Sequence, residues 1–191
     1  MCKIFNLETT QFLKYFKGQE QVKELAKKLA APPGEKILLQ GLIGSSKTIL
    51  LATVFEKIKK KLVILLNDRE EAAYFFDDLN NLGFSGSTLF FPSSYKRSIH
   101  YGQTEQEHIV LRAEALNKIA TGGKPYMVIT YPEAAIETVI SPSSLETNTL
   151  QISKGDKISI EFINEFLYEY GFERVDFVYE PGQFSVRGSI V

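Results

Sequence analysis

Gly41-Leu42-Ile43-Gly44-Ser45-Ser46-Lys47-Thr48 reads as a phosphate-binding loop with one residue changed. The pattern G-x-x-x-x-G-K-[ST] asks for glycine where Ser46 stands. In a working loop, successive backbone N–H groups wrap the phosphates, the lysine neutralises them and the threonine hydroxyl meets magnesium. The second glycine commonly lets the backbone take a conformation that a side chain disfavours. The surroundings fit such a loop. Lys36-Ile37-Leu38-Leu39-Gln40 predicts a buried strand ahead of it, and Thr48 to Lys59 predicts a helix behind it. Two readings follow: a relic or weakened nucleotide site built on Gly41, Gly44, Ser46, Lys47 and Thr48, or a P-loop nucleotide hydrolase that tolerates Ser46.

Working outward, short apolar runs alternate with amphipathic stretches, the pattern of a parallel sheet with helices on both faces. Leu7 to Ala31 reads as helical and breaks at Pro32-Pro33-Gly34. Leu62 to Leu66 predicts a second strand. Asp68 and Glu71 then form a capping box for a helix with Ala72, Phe75, Phe76 and Leu79 on one face, stopping near Gly83. Thr88 to Phe91 predicts a third strand. Thr104 and Glu107 form another capping box, opening a helix that ends at Gly122-Gly123. Met127 to Thr130 is a fourth strand, followed by a helix from Pro132 to about Ile140. Composition shifts at Ser141-Pro142-Ser143-Ser144, so a boundary is expected there, giving domains 1–141 and 142–191. Beyond it the sequence predicts a strand at Thr149 to Ile152, a turn at Lys154-Gly155-Asp156, and a helix from Ile160 to Tyr170 capped by Ser159. A hairpin-like pair of extended stretches, 174–179 and 183–191, turns at Glu180-Pro181-Gly182. The chain stops inside the last of these, as expected of a piece of a longer protein.

Its 191 residues suffice for one large or two small domains. A net charge of −1 offers no basic field to nucleic acid. The apolar runs are too short for a membrane span, and the N-terminus lacks a signal-peptide core. One cysteine, Cys2, excludes an intramolecular disulfide and a zinc cluster, so cytoplasm is the expected compartment.

A P-loop ATPase also needs an acid at a neighbouring strand end to hold magnesium. Asp68 is better explained as a helix cap, and Glu133, after Pro132, as a first-turn acid favourable to the helix dipole. The ATPase apparatus is therefore incomplete, and neither catalytic residues nor metal ligands are expected. His108 reads as a surface or boundary residue, and the Lys57 to Lys61 run as solvated charge. Tyr95-Lys96-Arg97 and His100-Tyr101 interleave basic and aromatic residues in a pattern able to touch single strands. Near the end, Arg187 with Phe184 nearby fits either an interface hot spot or a gatekeeper on a solvated strand edge.

The string Tyr170-Gly171-Phe172-Glu173-Arg174-Val175-Asp176, continued by Phe177-Val178-Tyr179-Glu180-Pro181-Gly182-Gln183-Phe184-Ser185-Val186-Arg187-Gly188, resembles the N-terminal region of bacterial transcription-repair coupling factors, the Mfd family. That family is related in turn to the excision-repair protein UvrB. The resemblance covers the chain and is densest over 166–191. It implies a RecA-like domain 1a with a degenerate P-loop, followed by a smaller α+β domain 2 that binds UvrA. Carried over by position, Arg174, Phe184 and Arg187 are the implied UvrA-binding residues, while Ser185 stands where UvrB has a further arginine. The implied module has lost ATPase competence. ATP and magnesium would serve a motor in the longer protein, and RNA polymerase and double-stranded DNA would be met by domains absent here. Lys47 and Thr48 depart from the more degraded members, and the loop at 93–103 departs from the usual pattern.

Overall fold

The computed structural model describes residues 9–32, 36–94, 106–147, 149–150, 152–180 and 182–191. The fold is mixed α/β, and packing divides the chain into two units. The first is Met1–Pro92 with Gly122–Ile136; the second is Ser93–Thr121 with Glu137–Val191.

In the first unit, helices α1 (Thr9–Lys17) and α2 (Glu20–Ala30) precede α3 (Ser46–Ile58). Strand β1 (Leu62–Leu65), helix α4 (Arg69–Leu79), strand β2 (Thr88–Phe90), strand β3 (Met127–Thr130) and the short α6 (Pro132–Ala135) complete it. The three strands form a parallel sheet in the order β1-β3-β2, with Leu62 and Thr88 both opposite Met127. Every residue of the central strand β3 is buried. Alternation places Leu62, Ile64, Met127, Ile129 and Phe90 on one face, where they join Leu13, Ala52, Phe55, Phe75 and Leu79 from the helices. On the other face Val63 and Leu65 of β1 are 75% and 59% exposed. The signals read for the helix after Asp68 are local and they hold. Asp68 Oδ1 accepts the Glu71 N–H at 2.8 Å, and Gly83 (φ 91°) bends the chain beyond α4. The lysine run does more than face solvent. Lys60 Nζ donates to the carbonyls of Leu29 and Ala30 at the C-terminus of α2, where a cation complements the helix dipole.

Two expectations fail in this unit. The buried strand at Lys36–Gln40 does not form: Leu38 is 80% and Leu39 43% exposed. Ile37 instead packs on the Val22, Leu25, Ala26 and Val54 cluster between α2 and α3, so the apolar run answers to a side-chain contact and not to strand pairing. The helix after Pro132 ends at Ala135, short of Ile140. Ile136, Val139 and Ile140 mimic a helical stripe, but all three are exposed and none joins the core.

The second unit holds α5 (Gln106–Thr121), α7 (Pro142–Thr147), α8 (Ile160–Glu169), and two short strands, β4 (Glu173–Arg174) and β5 (Gln183–Phe184). Ser159 caps α8 through the Phe162 N–H at 3.1 Å. Ser141-Pro142 opens α7, with Ser141 Oγ accepting the Ser144 N–H. Among the described residues, Thr149, Leu150 and Ile152 form no strand, since alternation alone supplies no partner edge. The terminal pair is no hairpin: β4 and β5 run parallel, with Glu173 opposite Gln183 and Arg174 opposite Phe184. His108 is buried, contrary to expectation, and its Nδ1 donates to the Ser93 carbonyl across 2.7 Å. Beside it Glu137 accepts from Ser93 Oγ and the Ser94 N–H, both at 3.0 Å, and from Ser94 Oγ. Buried Arg112 completes the clasp, its Nε 3.5 Å from the Glu137 carboxylate. Burial pushes the Glu137 carboxyl upward, but these hydrogen bonds and Arg112 outweigh it and hold the group below the usual glutamate range. Thr104 and the loop residues Tyr95 to Tyr101 lie outside the described residues.

Ile129→Ala, at a fully buried position of the central strand, should destabilise the chain by about 2–5 kcal/mol in urea unfolding. Val63→Ser on the open face should change stability by about 0.5 kcal/mol or less. Equal losses would contradict this placement of core and edge. For Glu137, the folded carboxyl is depressed, so its contribution is complete above the ordinary glutamate range and is lost as pH falls through the folded value. Glu137→Gln should therefore cost about 1–3 kcal/mol at neutral pH. The gap to wild type should narrow below about pH 4, and a gap independent of pH would contradict the charged clasp.

Candidate functional site

The loop before α3 takes its shape from its glycines. Gly41 (φ 80°) and Gly44 (φ 54°) occupy the left-handed region, where a side chain is disfavoured. Ser46 does not need that freedom, since it is already the first residue of α3. The serine that breaks the phosphate-loop pattern is thus compatible with the backbone, and the reason to doubt a working site lies in the side chains.

Lys47 Nζ lies 2.7 Å from Glu71 Oε1 on α4. The other oxygen of Glu71 accepts the Asn67 N–H at 3.2 Å and Asn67 Nδ2 at 2.6 Å. Lys47 first, then the Asn67 backbone, hold the Glu71 carboxyl below the usual glutamate range against a desolvation that would raise it. Thr48 is 2% exposed, and its hydroxyl donates to Asp78 Oδ2 at 3.3 Å. The lysine that would neutralise phosphate and the hydroxyl that would meet magnesium are both engaged by carboxylates of α4. They line a pocket of about 350 Å³ together with Gly44 and Ser45. One lysine against two carboxylates leaves this pocket with a formal charge of −1, a poor receptor for a polyanion. Sequence reasoning gave Glu71 only a capping role and gave Asp78 none. Their spacing of seven residues, two helical turns, was the available signal that both carboxylates leave α4 on the same side. Asp68 serves as the cap of α4 and Glu133 is exposed in the first turn of α6. Among the described residues, no group of three or more His, Cys, Asp or Glu side chains is arranged to hold a metal ion.

The terminal segment is built differently. Helix α8 carries Phe166, stacked on Tyr170 at 4.5 Å, and Tyr168, which meets Phe184 edge-on at 5.4 Å. Phe184 is 5% exposed, so it anchors β5 from beneath and offers a partner no surface. The two arginines lie outside it. Arg174 is exposed on β4, which is held by the Glu173 N–H to Gly182 and the Val175 N–H to Phe184 carbonyl bonds, 2.8 and 2.9 Å. Arg187 is exposed at the start of a two-residue turn closed by reciprocal bonds with Ile190. Phe177, Val178 and Tyr179 stand 54–82% exposed beside it, an apolar ridge that the sequence reading passed over. Large exposed apolar groups rimmed by charge mark surfaces made for contact. Lys96 and Arg97, considered for strand contact, lie outside the described residues. No helix among the described residues is long and apolar enough to cross a membrane.

Comparison with known proteins bears on this segment directly. Residues 150–191 match the UvrB interaction domain. The chain is 28% identical over 155 residues to the transcription-repair-coupling factor of Bacillus subtilis, a match covering 81% of this chain and 13% of that protein. It is 25% identical over 170 residues to UvrABC system protein B of Ureaplasma parvum, and 26% identical over 170 residues to that of Natronomonas pharaonis. Each match covers 82% of this chain and 25% of the relative. The chain thus spans between an eighth and a quarter of the length of these relatives. The resemblance first read from the terminal string holds: residues 150–191 match the UvrB interaction domain, and the chain is similar to transcription-repair-coupling factor and to UvrABC system protein B.

Proposed function

We propose that this chain is a recruitment module that docks UvrA and so links a longer transcription-repair coupling factor to nucleotide excision repair. The observation that carries the reading is the match of residues 150–191 to the UvrB interaction domain, on the segment that displays Arg174, Arg187 and the Phe177–Tyr179 ridge. The exposed arginines supply charged hydrogen bonds to partner carboxylates, and Phe184 holds β5 in place below them. In this reading residues 1–141 form a RecA-like domain 1a with a degenerate phosphate loop, and residues 142–191 form domain 2. The chain itself is non-catalytic. The longer protein is an ATP-dependent DNA translocase that frees stalled RNA polymerase, meeting polymerase and duplex DNA through other domains, in the cytoplasm.

Arg187→Ala should weaken UvrA binding by about 2–4 kcal/mol, roughly 30- to 700-fold in Kd, with only a small change in melting temperature because its own contacts are exposed. Phe184→Ala should lower both, because that ring is core. Binding by folded Arg187→Ala as tight as wild type would overturn the docking site.

The rival reading, a P-loop hydrolase tolerant of Ser46, is disfavoured by the Glu71 and Asp78 carboxylates at Lys47 and Thr48. Magnesium-ATP should leave the melting temperature of the wild-type chain unchanged. Magnesium-dependent ATP turnover that disappears in Lys47→Ala would establish the rival instead.

A further inference from the structure

Arg187 is exposed, yet its guanidinium is held in place. Its Cζ lies 4.3 Å from the centroid of the Phe177 ring, within the range of a cation–π contact. Nη2 donates to the main-chain oxygen of Asp176 at 3.0 Å, and Ser185 Oγ donates to the same oxygen at 3.0 Å. The backbone is fixed as well. The Arg187 N–H to Ile190 carbonyl bond is 2.9 Å, its reciprocal is 3.1 Å, and Gly188 (φ 60°) makes the tight turn between them. Phe177 is 58% exposed, too open to be counted as core. Its neighbour Tyr179, 6.5 Å away between ring centres, is more exposed still.

A guanidinium lying against a ring keeps its N–H donors in its own plane, and the Asp176 oxygen takes one of them. The remaining edge has the fork geometry that fits a carboxylate through two parallel hydrogen bonds. An arginine that is mobile before binding must lose rotamer freedom to make such a pair; one already stacked does not. We infer that Phe177 is a positioning residue, holding Arg187 so that it presents this edge to an aspartate or glutamate carboxylate of the partner. The inference rests on the reading that this surface docks UvrA.

The test is a calorimetric cycle with UvrA using the whole chain as wild type, Phe177→Leu, Phe177→Trp, Arg187→Ala and the Phe177→Leu/Arg187→Ala double variant. It is paired with ¹⁵N relaxation of the Arg187 side-chain Nε in the chain alone. Phe177→Leu should weaken binding about 3- to 10-fold and loosen Nε, consistent with the size of a lost cation–π contact. Phe177→Trp, which keeps a face for stacking, should stay within about 2-fold of wild type. The double variant should bind no more weakly than Arg187→Ala. Additive losses would overturn the inference, because Phe177 would then contribute to binding independently of Arg187; an Arg187 Nε already mobile in wild type would overturn it too. If wild type fails to bind UvrA, the docking proposal falls. Relaxation then decides the stack by itself: an ordered Nε loosened by Phe177→Leu upholds the positioning role, and an unchanged Nε ends it.

Discussion

Among the described residues, pairing in the larger sheet centres on Met127–Thr130. Strands β1 and β2 each bond to β3 and not to one another, so the first unit has one strand on which both neighbours depend. That strand is buried along its whole length, as expected of a central parallel strand with apolar groups on both sides. Thr130 is the polar exception, and its hydroxyl is satisfied by the Phe91 carbonyl at 2.8 Å, so the ladder is extended by one side chain at its end. Met127 and Ile129 then set the face against which α4 and α3 pack, and it is this packing that brings Glu71 and Asp78 to the start of α3.

The two parts of the chain that resemble functional sites differ in how their charges are satisfied. At the phosphate loop, lysine and threonine are answered from within by carboxylates of the same unit. A bound anion would have to displace Glu71 and tolerate Asp78. At the terminal segment, apolar anchoring lies underneath and charge lies outside: Phe184 is buried on Tyr168 while Arg174 and Arg187 face solvent. The first arrangement closes a site and the second leaves one open to a partner. On the proposed reading, a docking module built on a degenerate nucleotide fold would carry both.

What could be read in advance was what neighbouring residues settle among themselves. The Asp68 and Ser159 caps are contacts three residues apart, and α4 and α8 followed from such signals with small errors at their ends. The order of apolar runs gave β1, β2 and β3, but not which of them would pair. Where structure depended on a distant partner, the reading went astray. Ile37 found a helix cluster instead of a strand, the 173–184 segments paired in parallel, and buried His108 is hydrogen-bonded to the Ser93 carbonyl fifteen residues away. The Glu137 clasp has no sequence signature, since its serines lie more than forty residues upstream. At the candidate sites the residue types were legible and their surroundings were not: Lys47 without Glu71, and Arg187 without Phe177.

The most direct test of the central claim is hydrogen–deuterium exchange of the chain with and without UvrA. A recruitment surface on the terminal segment predicts protection concentrated in residues 172–191, with the loop at 41–48 unchanged. Protection at 41–48 with none at 172–191 would contradict the account and return attention to the phosphate loop.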